Sequence, residues 1–149
     1  MENIDLTKHA VPIKLIDGKR YVFDVLRKKY VVLTPEELVR QTFIKYLIDE
    51  KGYPKSLCKL ESGLKYGDMS KRSDIIFYNS SAKPFLLIEC KSFKTKLSQS
   101  AFDQLSVYNQ VLKAKFIGVT NGVHYKFCKV DYQSSKLDYL ENIPEYLED

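Results

Sequence analysis

Two acidic residues and a lysine occur at a spacing that could form a metal site. Asp74 precedes the apolar run 75–78, and Glu89 and Lys91 close the next apolar run, which begins at Pro84. We expect these runs to form adjacent antiparallel strands, with Asp74 across from Glu89. Side chains two positions apart share a face of a strand, so Glu89 and Lys91 should point the same way. Two such carboxylates can bind a hard divalent cation, and an ammonium group beside them can hold an attacking water or a phosphate oxygen. The pattern predicts metal-dependent cleavage of phosphodiester bonds.

The same three residues have a simpler interpretation, which their spacing leaves open. Asp74 and Glu89 would then be solvated carboxylates at strand ends, and Lys91 would be a surface salt-bridge partner. Acidic residues at such points in apolar strands are common.

Composition indicates an ordinary folded protein. The chain has 149 residues, of which 44% are hydrophobic and 29% charged, and we expect one domain over residues 1–149 with a sizeable core. The apolar stretches are too short to span a membrane, and the N-terminus has no signal-peptide pattern. These features predict a cytoplasmic location and no membrane partner.

Histidine and cysteine are too sparse for most metal sites. The three cysteines are widely spaced, which predicts reduced and mostly buried thiols, and there are two histidines. A metal site must therefore use oxygen ligands, which favours magnesium, manganese or calcium.

The charge is unevenly distributed along the chain. The net charge is +5, yet residues 138–149 contain five acidic residues and no basic ones, which leaves +10 on residues 1–137. A basic body suits a polyanion such as nucleic acid, and therefore DNA is a predicted partner. Surplus lysines that only keep the protein soluble are the alternative.

Turn and cap signals divide the chain into elements. Asp17-Gly18 predicts a hairpin between 11–16 and 19–26. Thr34, Pro35 and Glu37 predict a helix start with a capping box. Further predicted elements are a strand at 57–65, a helix at 98–113, strands at 116–120 and 123–130 around the turn Asn121-Gly122, and an acidic tail at 134–149 with one short helix before Pro144. The order predicts an α/β (α+β) fold with helices on a mixed central sheet.

Within this order, Asp74 and Glu89-Cys90-Lys91 resemble the PD-(D/E)XK nuclease superfamily. More narrowly, residues 20–130 resemble the N-terminal nuclease domain of type I restriction enzyme R subunits. Ser73 stands where the superfamily nominally has proline, a position that varies among its members. The resemblance implies a restriction-endonuclease-like αβββαβ core and a DNA endonuclease of restriction, defence or repair.

The chemistry assigns a role to each residue of this set. Asp74, Glu89 and the backbone carbonyl of Cys90 would hold Mg²⁺ or Mn²⁺, and Lys91 would orient water or stabilise developing charge. The chain has no phosphate-binding loop of a motor, so it is expected to be either a free-standing relative or a component whose protein partner supplies motor or specificity functions. The oligomeric state is left open.

Three further residues are candidates for the site through the resemblance. Gln104 and Tyr108 match a Gln-x-x-x-Tyr element that lines the DNA groove, although a buried tyrosine and a solvent-facing glutamine fit equally well. Glu37 matches an additional acid that the family often supplies from its first helix, and its place in the capping box is the competing explanation.

Five basic residues flank the proposed site and are candidates for phosphate contacts; they are Lys65, Lys71, Arg72, Lys94 and Lys96. Tyrosine and phenylalanine recur at core-like spacings, so no stacking platform for bases is expected. The alternative function is a catalytically silent nucleic-acid-binding module or an assembly subunit with the same fold. In the latter, the acidic tail would dock on a basic partner or shield the groove.

Overall fold

A mixed seven-stranded sheet lies at the centre of the part of the chain that the computed structural model describes, residues 2–60, 65–66, 69–70 and 75–147. Before the first helix come β1 (Glu2–Asn3), β2 (Ile13–Ile16), β3 (Lys19–Asp24) and β4 (Lys29–Val32). Next come α1 (Pro35–Lys51), β5 (Cys58–Lys59), β6 (Lys65–Tyr66), β7 (Met69–Ser70), β8 (Ile75–Tyr78) and β9 (Pro84–Cys90). The last elements are α2 (Gln99–Leu112), β10 (Phe116–Thr120), β11 (His124–Asp131) and β12 (Lys136–Leu140).

The central sheet runs in the order β11-β10-β9-β8-β5, and β1 and β12 both pair with β11. Strands β9 and β10 are parallel, with Cys90 beside Thr120, and the other pairs are antiparallel. The helix α2 connects the parallel pair, as a crossover between parallel strands requires. This is the predicted mixed sheet, and the predicted α/β class is confirmed.

Side-chain caps fix where both helices begin. The hydroxyl oxygen of Thr34 accepts a hydrogen bond of 3.0 Å from the backbone N–H of Glu37, and Pro35 opens the first turn. Ser98 caps α2 in the same way through the N–H of Ala101. Both predicted helix starts are confirmed. The Thr34 half of the predicted capping box forms. The Glu37 carboxylate accepts its hydrogen bonds from Arg40 and Gln41, two side chains of its own helix.

The helices pack on opposite faces of the sheet. On one side Phe43 of α1 lies in a core cluster with Phe77 and Ile88. On the other side Leu105 of α2 lies in a cluster with Leu87. Strand alternation therefore assigns residues 87 and 89 of β9 to the α2 side.

The predicted hairpin forms and gains a third strand. Asp17 and Gly18 both have positive φ angles, 49° and 80°, as the twisted two-residue hairpin turn requires. Strand β4 pairs with β3 to complete a separate three-stranded sheet.

The C-terminal residues differ from the predicted acidic tail with a short helix. Residues 136–140 form β12, which pairs with β11. Ile143 is buried, Tyr53 donates a hydrogen bond of 2.7 Å to the carbonyl of Pro144, and the N–H of Tyr146 donates one of 2.9 Å to Lys51. The helix prediction was wrong. Several positions of β12 are exposed and polar, so the composition of this strand resembles that of a polar tail.

The predicted strand at 57–65 falls partly outside the described residues, which omit 61–64. Within the described part, a short 3₁₀ turn occupies Lys55–Leu57, Cys58 and Lys59 pair with β8 in the central sheet, and Lys65 begins β6, which pairs with β7.

The three cysteines are thiols rather than disulfides, as predicted. Cys90 and Cys128 are buried, and burial raises the pKa of Cys128 to about 12. Across the described ranges, no helix combines the length and apolarity that crossing a bilayer requires.

Gly118 should tolerate no side chain. It lies opposite Phe127 in the β10–β11 pair, and a Cβ atom at position 118 would overlap the phenylalanine ring. Overpacking of this kind costs about 1–3 kcal/mol, so Gly118→Ala should lower the free energy of unfolding measured in urea by that amount. In a Phe127→Leu background the same change should cost clearly less. An equal cost in both backgrounds would contradict a clash with this ring.

Candidate active site

Glu89 and Lys91 form an ion pair at the end of the central strand β9. The carboxylate of Glu89 is buried, with 4% of its side chain exposed, and its Oε2 lies 3.0 Å from Nζ of Lys91. The Lys91 side chain is 35% exposed, so the ammonium group lies at the rim of the site. A buried carboxylate is costly unless it is paired, and this lysine provides the counter-charge.

The backbone around this pair is held by the parallel strand β10. Cys90 lies beside Thr120, and the N–H of Lys91 donates a hydrogen bond of 2.8 Å to the carbonyl of Thr120. The side chain of Cys90 lies in the core cluster on the α1 side. Its carbonyl, the predicted third metal ligand, belongs to the same strand end as the Glu89 carboxylate.

Asp74, the second predicted carboxylate ligand of the metal, lies outside the described residues. The predicted phosphate contacts Lys71 and Arg72 also lie outside them, and Lys65 is described only as part of β6. Among the residues that are described, no three acidic, histidine or cysteine side chains gather in a group that could hold a metal ion. The metal prediction therefore depends on Asp74 joining Glu89.

Glu37 contacts side chains of its own helix on the α1 side of the sheet. Its carboxylate accepts hydrogen bonds from Arg40 and from the amide of Gln41, the latter at 3.0 Å. Gln41 is fully buried, and its carbonyl oxygen accepts the N–H of Val25 at 2.9 Å. This network fastens α1 to the turn after β3, which favours a structural explanation of Glu37. The sequence did not indicate the part played by Gln41, because its partner Val25 is distant in sequence.

A second buried acid, Asp24, completes the same turn. Its carboxylate accepts the N–H groups of Leu26 and Arg27 at 3.0 and 2.9 Å, the local bonding typical of aspartate in turns. Burial, with Asp24 nearby, raises the pKa of Cys58, which Arg40 partly offsets. Asp24 had no role in the sequence predictions, although an aspartate directly after an apolar strand and before the basic cluster at 27–29 is a usable turn signal.

Gln104 and Tyr108 differ in exposure although they are one helical turn apart. Gln104 is exposed on α2, whereas Tyr108 is 2% exposed within the core cluster on the α2 side. The structure shows that Tyr108 is a buried tyrosine, which was the alternative interpretation of this residue. Gln104 is accessible to a ligand.

The loop between β9 and α2 presents basic and aromatic side chains directly after Lys91. Lys94 and Lys96 are exposed, and Nζ of Lys94 lies 5.8 Å from the ring centre of the half-exposed Phe93. Asn121 holds this loop, because its amide donates a hydrogen bond of 2.8 Å to the carbonyl of Thr95. The sequence predicted a turn at Asn121-Gly122 and assigned it no other role. Nothing in the neighbouring residues indicated the hydrogen bond from Asn121 to Thr95.

Fold and site together define a class: an α+β protein with a mixed sheet that carries a buried acid and a lysine at the end of its central strand. A family model described as type I restriction enzyme R protein N terminus (HSDR_N) matches residues 35–144. The match spans more than half of the chain, and the chain belongs to this family. The predicted resemblance to the R-subunit N-terminus is confirmed.

A solved structure has the same fold. It is a fragment assigned as the HsdR subunit of a type I restriction enzyme from Vibrio vulnificus YJ016, with 20% sequence identity and a TM-score of 0.53. The alignment covers 76% of this chain and 24% of that one, so the chain spans about a quarter of the length of its structural relative. No curated protein matches the chain.

Proposed function

We propose that this chain is a magnesium-dependent DNA endonuclease that hydrolyses phosphodiester bonds in restriction, or in another defence or repair setting. The observation that carries the proposal is the buried Glu89 carboxylate beside the rim-exposed Lys91 ammonium group, at the end of the central strand of an R-protein N-terminal fold. A largely buried acid next to a solvent-accessible lysine suits a site where one group binds a cation and the other meets substrate.

The residues fit a hard divalent cation if Asp74 takes part. Strands β8 and β9 pair with Ile75 beside Ile88 and Ile76 beside Leu87. We propose that this register continues by one residue, which would place Asp74 across from Glu89. Their carboxylates and the Cys90 carbonyl would then be the oxygen ligands that magnesium and manganese prefer.

Bound Mg²⁺ would lower the pKa of a coordinated water and neutralise charge on the scissile phosphate. Glu89 would hold the ion from the interior side, where its buried position fixes the direction of its oxygens. Lys91 would donate hydrogen bonds from the rim, either to the attacking water or to a phosphate oxygen. Like-charged carboxylates this close need a cation or a proton between them, and Lys91 supplies positive charge at the same place.

The surface around Lys91 suits the DNA backbone. Exposed Lys94 and Lys96 follow it in the β9–α2 loop, which Asn121 anchors. Lys65, Lys71 and Arg72 are proposed to add further phosphate contacts. Such contacts position a duplex without reading its sequence. A protein partner that supplies motor or specificity functions is part of the proposal.

A silent nucleic-acid-binding module is the second candidate, and the ion pair itself favours it. Glu89 and Lys91 already neutralise each other at 3.0 Å, so the pair is stable without a cation. A module of this kind would bind DNA with a steep salt dependence and without any effect of divalent ions.

A cleavage assay separates the two candidates. The purified chain is incubated with supercoiled plasmid, linear duplex and single-stranded DNA in magnesium, manganese or EDTA. The nuclease proposal expects nicked or linear products in either metal and none in EDTA. Intact DNA of all three kinds in both metals would reject the chain as a nuclease on its own.

A further inference from the structure

The segment that forms the sheet of β2, β3 and β4 is rich in positive charge. Residues 13–32 contain six basic and two acidic residues, a net charge of +4 out of the +10 carried by residues 1–137. One of the two acids, Asp24, is buried and bonded to turn N–H groups. Electrostatics therefore attract a polyanion to this sheet as well as to the β9–α2 loop.

One face of this sheet carries three half-buried rings, Tyr21, Phe23 and Tyr30, which belong to neither core cluster. In β3 the alternate residues Val22 and Asp24 are buried, which turns Tyr21 and Phe23 to the opposite side. The strand registers place Lys14 and Val32 on either side of Tyr21, and Tyr30 beside Phe23. We call this side the aromatic face; its members are Lys14, Lys19, Tyr21, Phe23, Tyr30 and Val32.

The rings on the aromatic face contact each other and a lysine. The ring centres of Phe23 and Tyr30 are 5.3 Å apart at an interplanar angle of 65°. Nζ of Lys14 lies 4.7 Å from the centre of the Tyr30 ring. Val32 is 56% exposed and Lys19 is exposed. Rings, an exposed aliphatic side chain and ammonium groups thus lie together on a pleated surface.

We propose that the aromatic face binds single-stranded nucleic acid. Bases of a single strand can stack on tyrosine and phenylalanine rings, while lysines along the same strands contact the phosphates. A duplex keeps its bases stacked inside, so it cannot use the rings and would gain only the charge. The combination of rings with concentrated positive charge fits a single strand better than a duplex or an apolar protein surface.

This site is separate from the proposed nuclease centre. It uses none of Glu89, Lys91 or a metal ion, and the family match begins at residue 35, after the sheet. The proposal departs from the sequence prediction that the chain has no stacking platform for bases. The rings looked like core residues because β3 alternates buried and outward positions, and sequence alone does not show which set is inside.

Fluorescence anisotropy with a labelled oligo(dT) tests the proposal. Measurements in EDTA, repeated with the Glu89→Gln variant, keep binding independent of any cleavage or metal effect. We expect the wild type to bind the oligomer. The double variant Phe23→Leu/Tyr30→Leu should bind at least about ten-fold more weakly, because each stacked base contributes substantially to the binding free energy. Lys14→Gln/Lys19→Gln should reduce the salt-dependence slope by about 1.4, since each phosphate contact contributes about 0.7 for a single strand.

Matched controls are available on β12. Tyr139 and Lys136 are exposed there, so Tyr139→Leu and Lys136→Gln should leave binding unchanged. An abasic oligomer of equal length should bind at least about ten-fold more weakly than oligo(dT). Equal binding of the abasic oligomer, unchanged binding by the ring and lysine variants, or no binding by the wild type would each overturn the proposal. Because the lysine variants change only exposed side chains, they test it even if the ring variant fails to fold.

Discussion

Replacing Glu89 by glutamine should eliminate magnesium-dependent DNA cleavage while leaving the fold intact. The substitution keeps the size of the buried side chain but removes the charge that would hold the cation. Lys91 is at the rim and can be hydrated once its partner is neutral. The variant should therefore show no cleavage above background in the plasmid assay, with a far-ultraviolet circular dichroism spectrum like that of the wild type.

The matched control for this experiment is Glu141→Gln, an exposed acid after β12. It removes one negative charge without touching the site, so its cleavage rate should equal that of the wild type. Cleavage by Glu89→Gln at the control rate would remove Glu89 from the catalytic machinery. Loss of cleavage in both variants would point to net charge rather than to the site.

Lys91→Met extends this prediction with a readout that does not need DNA. The methionine leaves the buried Glu89 carboxylate without its ammonium partner, which should destabilise the protein in EDTA by about 1–3 kcal/mol. Magnesium should then raise the melting temperature of this variant more than that of the wild type. Its cleavage rate should fall by on the order of 10²–10³-fold, the effect typical of removing one charge-stabilising donor.

The second large effect is expected from removing the C-terminal residues. A chain ending at residue 135 loses β12, the buried Ile143, and the carbonyl of Glu141 that accepts a hydrogen bond of 2.8 Å from Tyr125. It also loses Tyr146, whose ring lies 5.0 Å from that of Phe85. We expect this truncated chain to show no cooperative unfolding transition in urea.

Two point substitutions make the same prediction quantitative. Ile143→Ala removes a buried side chain and should lower the free energy of unfolding by about 2–5 kcal/mol. Leu147 is 65% exposed, so Leu147→Ala should change it by less than about 0.5 kcal/mol. Equal effects of the two, or a stable truncated chain, would show that these residues are a dispensable tail.

This result bears on the idea that the acidic tail shields a DNA groove. Deleting residues 138–149 would disrupt β12 and the core, so its effect on DNA binding would report on folding first. Substituting the exposed Glu141 and Glu145 by glutamine removes charge without removing the strand. Stronger DNA binding by that variant would support shielding, and unchanged binding would dismiss it.

Local signals predicted the elements that local chemistry determines. Thr34 and Ser98 cap the two helices because a hydroxyl group can satisfy a free N–H within three residues. Asp17-Gly18 forms its hairpin because both residues tolerate positive φ. The positions of Glu89 and Lys91 at one strand end follow from alternation, which needs only a correct strand assignment.

The features that sequence did not predict depend on distant partners. Strand β12 exists because β11 offers it an edge, and its own residues, with Asp138 among them, look like a polar tail. The buried side chain of Gln41 accepts a hydrogen bond from the backbone N–H of Val25, sixteen positions earlier in the chain. The bond from Asn121 to Thr95 spans twenty-six positions. Spacing within a window carries no information about such contacts.

The most direct test of the central claim is a crystal of this chain soaked in manganese, with anomalous diffraction measured at a wavelength where manganese scatters. The proposed site predicts one strong peak between the carboxylates of Asp74 and Glu89, with the Cys90 carbonyl facing it and Lys91 turned toward solvent. A map in which Glu89 stays bonded to Lys91 and manganese density is absent from this strand end, or appears elsewhere, would contradict the assignment of a metal-dependent nuclease.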